Sequence, residues 1–185
     1  MTELASKSQL RMSFLRIALF TVPATVLLGT LAGMLANSGY ENAWFRTLQL
    51  PSFMPPGWAF GVAWTILYIC LGLALALILH ARGAPKRGLI IALFLVQLAI
   101  NYAWSPVFFR LHQVTLALAM IAVMLVMTLV LIALMRRVRG LAALLMIPYL
   151  GWLCFAGALT WRIMVDNPNA AAVAPAAVST DIPLD

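Results

Sequence analysis

Charged residues divide this chain into long, uninterrupted apolar runs. Counted between charges, residues 17–40 give 24 positions, 88–109 give 22, 111–135 give 25 and 140–161 give 22; after Pro55-Pro56, the charge-free residues 57–79 give 23. A helix needs about 20 apolar residues to cross a hydrocarbon core of ~30 Å, and every run meets that length. Backbone polar groups in lipid must be satisfied within the segment, so each run predicts a helix. Strands of a membrane barrel would alternate apolar and polar positions over about ten residues. The pattern therefore predicts an all-α integral membrane protein, a five-transmembrane-helix bundle in one domain over residues 14–168. Residues 1–13 read as a cytoplasmic lead and 169–185 as a disordered Ala/Pro-rich tail. The first span reads as retained, because its run exceeds the roughly 7–15 residues of a signal-peptide core.

Composition sharpens this picture. Of the 185 residues, 64% are hydrophobic and 9% charged, where a soluble domain carries roughly 25% charged residues. A water-soluble enzyme is excluded, and so is a disordered chain, which needs low hydrophobicity. Nine of the twelve basic residues fall on one side of the spans: Lys7, Arg11, Arg16, Arg82, Lys86, Arg87, Arg136, Arg137 and Arg139. Arg46, Arg110 and Arg162 fall on the other. The positive-inside rule then places the N-terminus in the cytoplasm and the C-terminus outside. The net charge of +7 is mostly this topology signal, not a nucleic-acid footprint. Cys70 and Cys154 sit inside spans and read as apolar filler.

The polar residues within the spans are few. No Asp, Glu, Lys or Arg lies in the middle of any of them, which argues against an ion-coupled pump, a voltage sensor or a charged channel ring. His80 and His112 lie at span ends and read as interfacial residues, so no metal site is expected. Gln97 and Asn101 stand four apart on one face of the third span, continued by Trp104 and Phe108. Pro148, Trp152 and Ala156 share a face of the fifth. Rings plus one or two amides suit a flat hydrophobic ligand. The same residues would equally serve interhelical hydrogen bonding and bundle packing. Trp64 reads as a packing residue. Pro23, Pro106 and Pro148 each free a carbonyl inside a span. Residues 37–56 form the one long connection, rich in aromatics that would anchor at the membrane interface or serve function.

Three stretches resemble the signatures of the TspO/MBR family, the tryptophan-rich sensory and translocator proteins. They are PSFMPPGWAFGVAWTILY at 51–68, NYAWSPVFF at 101–109 and PYLGWLCFA at 148–156, the last followed by Trp161 and Asn167. The matches run in order from about residue 14 to 168. The resemblance implies a five-helix bundle, usually dimeric, with a pocket opening toward the first loop. It implies porphyrins such as protoporphyrin IX or haem as ligands, with sterol a further candidate, and no required cofactor. It places Phe53, Asn101, Trp104, Trp152 and Ala156 at the pocket, with Pro55 and Pro56 shaping the loop. It also points to a bacterial membrane.

The chain departs from the family pattern in two places that matter. Phe53 stands where members usually carry Trp, an indole associated with light-driven porphyrin breakdown, and Thr160 stands where many have Asn. Three functions follow as alternatives: a tetrapyrrole sensor or transporter, a porphyrin-degrading membrane enzyme, or a scaffold without a small ligand. Ala99 and Ala103 put small residues four apart on the third span, an expected homodimer contact.

Overall fold

The computed structural model describes residues 7–172; the first part of the expected lead and most of the expected tail lie outside the described residues. Each apolar run is helical. The elements are α1 (Lys7–Leu35), α2 (Gly57–His80), α3 (Arg87–Ser105), α4 (Val114–Arg136), α5 (Gly140–Leu145) and α6 (Ile147–Asp166). Five spans result, with α5 and α6 together forming the fifth. The first helix begins inside the stretch read as a lead.

The three prolines act differently. Pro23 leaves α1 helical throughout. At Pro106, α3 passes into a π-helical turn (Pro106–Arg110), closed by the Leu111 N–H on the Pro106 carbonyl at 3.0 Å. Pro148 has no N–H for the carbonyl four residues upstream, and the fifth span breaks beside it, at Met146.

α2 is the central helix, packed against α1, α3, α5 and α6. Its inward face contributes Leu71, Leu75 and Ile78 to a core shared with Phe94, Met124 and Leu131. Outward faces carry exposed Leu19, Phe20, Leu27, Val126 and Leu144. Such a surface is stable only against lipid tails.

Hydroxyls and glycines bind α1 to α2. The Thr21 hydroxyl donates to the Gly72 carbonyl at 2.9 Å, and the Thr25 hydroxyl to the Tyr68 carbonyl at 2.9 Å. The backbones can come this close because Gly72 has no side chain: a Cβ there would lie 2.6 Å from Val22 Cα. Gly29 meets the Tyr68 ring in the same way.

On the other side, the connection between α1 and α2 is packed down, not spread along the interface. α1 ends in a Schellman motif: Ser38 N–H bonds Gly33 O, Asn37 N–H bonds Met34 O, and Asn37 takes the left-handed conformation (φ 49°). Asn42 accepts from Phe45 N–H and donates to the Phe109 carbonyl. Trp44 is only 1% exposed; it donates to the Ala170 carbonyl at 2.7 Å and stacks on His112 at 4.4 Å. Asn167 bonds both backbone groups of Gln49. The aromatics expected as interface anchors thus include a true core pair, Trp44 and Phe45, clustered with Phe108.

Gly72→Ala should force α1 from α2 and lower stability by about 1–3 kcal/mol, the usual cost of overpacking. Gly88, with open space around its Cβ position, is the control. Thermal denaturation in one detergent should show a lower midpoint for Gly72→Ala and no loss for Gly88→Ala.

Candidate ligand-binding cavity

A cavity of about 730 Å³ lies inside the loop-side half of the bundle. That volume falls within the ~300–1,000 Å³ typical of small-molecule sites. Its walls follow helical spacing. α1 contributes Gly29 and Gly33, and Asn37 follows just past its end. α2 contributes Gly57, Phe60, Gly61, Trp64 and Tyr68, three to four residues apart. α3 supplies Asn101, Trp104 and Ser105, continued by Phe108 and Phe109. α6 supplies Trp152, Ala156 and Thr160, and the first loop closes over with Tyr40, Glu41, Phe45 and Met54. Nine aromatic side chains line the space.

The rings brace one another edge to face and by stacking. Trp152 meets Phe60 at 5.7 Å and Trp64 at 5.9 Å, both T-shaped. Trp64 stacks on Tyr68 at 5.1 Å. Trp104 stacks on Phe108 at 5.0 Å, and its indole N–H donates to the Ala117 carbonyl at 3.0 Å. That bond fixes the Trp104 ring on α4 and leaves its surface to the cavity.

The floor is polar and self-contained. Asn101 accepts from the Tyr68 hydroxyl at 3.0 Å and donates to the Tyr149 hydroxyl at 3.0 Å. Gln97, one turn below, donates to Thr128 Oγ1 at 2.8 Å, to the Met124 carbonyl at 3.2 Å and toward Tyr149 at 3.4 Å. One network therefore ties α2, α3, α4 and α6. Each interhelical bond of this kind is worth about 0.6 kcal/mol on average in a membrane. Among the described residues, Gln97 Oε1 is buried without a partner.

Asn101, Trp104, Trp152 and Ala156, four of the five residues expected at a ligand site, line the cavity. Asn101 serves both readings of the sequence, lining the space while bridging helices. Gln97 lies beneath the lining and serves only the helices. Phe53 lies apart from the lining and is 49% exposed. Met54 N–H closes a turn on the Pro51 carbonyl at 3.0 Å, which puts Phe53 at the outer corner and Met54 on the cavity. Pro55 and Pro56 hold the loop: the Pro55 carbonyl accepts from Tyr40 at 2.7 Å, and Pro56 caps α2. Burial pushes the Tyr40 hydroxyl's pKa up, so it remains a donor. Trp64, read as packing, lines the cavity too. Its membership was legible in the Gly57–Phe60–Gly61–Trp64 spacing. Glu41 and Thr160 carried no comparable signal.

Comparison with known proteins places this arrangement. The model of the TspO/MBR family matches residues 21–165. The chain is 34% identical to the tryptophan-rich protein TspO of Archaeoglobus fulgidus over 137 residues, covering 74% of this chain and 88% of that protein. It is 35% identical to the bovine (Bos taurus) translocator protein over 153 residues, covering 79% and 90%. It is 33% identical to the tryptophan-rich sensory protein of Cereibacter sphaeroides over 128 residues, covering 69% and 79%. The matched span contains all the helices that wall the cavity, and on these grounds the chain is a multi-pass membrane protein that belongs to the TspO/MBR family.

Proposed function

We propose that this protein binds a flat, hydrophobic tetrapyrrole such as protoporphyrin IX or haem, and acts as its sensor or transporter in the membrane. The carrying observation is a cavity of about 730 Å³ walled by nine aromatic side chains above an amide floor. A planar macrocycle gains stacking area from such walls, and the names of relatives as sensory and translocator proteins suit the reading. Trp104 and Trp152 form the stacking surface beside Ala156, with Asn101 holding the floor rigid. Sterol is the second ligand class compatible with the apolar walls.

We place the N-terminus in the cytoplasm and the first loop outside, on the nine-to-three division of basic residues. The protein pairs with a second copy along α3, where Ala99 and Ala103 line a shallow apolar groove with Met120 and Val123 of α4.

Titration of the purified protein with protoporphyrin IX in the dark should quench tryptophan fluorescence saturably. Trp152→Ala should weaken binding several-fold, since a stacked aromatic is worth about 0.5–1.5 kcal/mol beyond its area. Phe53→Ala should leave affinity unchanged. Unaltered affinity in Trp152→Ala, with the fold intact, would remove this site. Bleaching of the porphyrin under light that requires the protein would favour an enzyme instead.

Reporter fusions after residue 168 should be active only outside the cytoplasm, and cytoplasmic activity there would reverse the topology. In lipid nanodiscs the protein should have the mass of two chains, and Ala99→Trp should reduce it to one. A monomeric wild type contradicts the pairing.

A further inference from the structure

The cavity has a definite charge character. Among the described residues, no Lys, Arg or His lines it, and its one charged lining residue is the carboxylate of Glu41. Glu41 is exposed on the loop. The arginines on this side, Arg46, Arg110 and Arg162, are exposed and lie off the lining, and Arg162 is paired with Asp166 at 2.9 Å. An anionic group carried into the space would lose water and find no cation. Inside a low-dielectric bundle such a group is strongly disfavoured.

The same walls hold a buried, uncharged hydrogen-bonding group without a partner among the described residues. The spans have six buried polar side chains: Thr21, Thr25, Gln97, Asn101, Thr128 and Thr160. The first five all bond within the protein. Thr160 is 3% exposed, lines the cavity, and makes no hydrogen bond among the described residues. A threonine in a helix ordinarily satisfies its hydroxyl on the carbonyl four residues back, as Thr21, Thr25 and Thr128 do here. Thr160 does not, and its hydroxyl is open to the cavity and not sealed in the wall as Gln97 Oε1 is. Its hydroxyl is left for whatever occupies the space.

We infer that the cavity selects ligands whose enclosed end is uncharged, with Thr160 hydrogen-bonding a neutral oxygen or nitrogen of the ligand and Glu41 repelling carboxylates at the rim. This rests on reading the cavity as a ligand site and narrows the ligand class within it. A porphyrin carrying two carboxylates would bind with both projecting past the rim, and its uncharged ester would bind more tightly.

The test compares protoporphyrin IX with its dimethyl ester, and 1-pyrenebutyrate with 1-pyrenebutanol, in nanodiscs at pH 7.5. Affinities are corrected for partition into empty nanodiscs. The ester and the alcohol should each bind at least several-fold more tightly than the matching acid. Glu41→Gln should narrow that gap by strengthening the acids alone. Thr160→Val should weaken the alcohol about three- to tenfold, the loss of one hydrogen bond, and Thr160→Ser should restore it. Matching thermal midpoints for wild type and variants establish that the fold is intact. Acids binding as tightly as their neutral partners would overturn the selection, as would an alcohol affinity indifferent to Thr160→Val. Should neither porphyrin bind while the pyrene alcohol outcompetes its acid, the tetrapyrrole reading fails and the charge selection stands. If none of the four probes binds, both fail.

Discussion

A polar group in hydrocarbon has no water to fall back on, and this constraint organises the whole protein. It makes every span a helix, because only a helix satisfies its own backbone. It then decides how the helices meet. Thr21 and Thr25 reach across to carbonyls of α2, and that reach is possible only because Gly72 lets the backbones close. It also joins Gln97, Asn101, Tyr68, Tyr149 and Thr128 into one network instead of leaving five separate burials. The hydrophobic effect cannot select these contacts, since lipid tails are as apolar as leucine. Close backbone approach and polar satisfaction take its place.

The cavity exists where that closure stops. In the inner half, α1 and α2 are held by hydroxyl–carbonyl bonds and tight glycine contacts. Toward the loop, Gly33 and Gly61 line the cavity, and a Cβ at Gly61 would meet nothing within 4 Å. Aromatic rings from α2, α3 and α6 wall the opened volume, braced edge to face. The loop covers it because Trp44, Asn42 and Asn167 tie the loop to the α3–α4 link and to the chain after α6. An aromatic, nearly uncharged space within a membrane bundle is what supports the proposed planar apolar guest.

Much of this was legible in the sequence, for reasons of period and length. Five charge-free runs predicted five spans, 3.6-residue spacing put Asn101 with Trp104 on one face of α3 and Trp152 with Ala156 on one face of α6, and the family resemblance implied that these faces share a pocket. Loop geometry was not legible, because side-chain direction there depends on individual turns. The turn from Pro51 to Met54 sends Phe53 outward and Met54 inward, and no periodicity encodes that. Trp44 and Phe45 look like interfacial anchors until the tertiary contacts with His112 and Phe108 are known. Thr160 stands out in the sequence only against the family pattern, and that it is buried with no hydrogen bond among the described residues is visible only in the structure. The break at Met146 was foreshadowed by Pro148, whereas Pro23 left α1 unbroken.

The central claim is that the guest lies among the rings of α2, α3 and α6. A structure of the protein with protoporphyrin IX bound in nanodiscs tests it most directly. The account predicts macrocycle density between the indoles of Trp104 and Trp152, above Asn101. Density confined to the lipid-facing groove at Ala99 and Ala103, with the inner cavity empty, would contradict it.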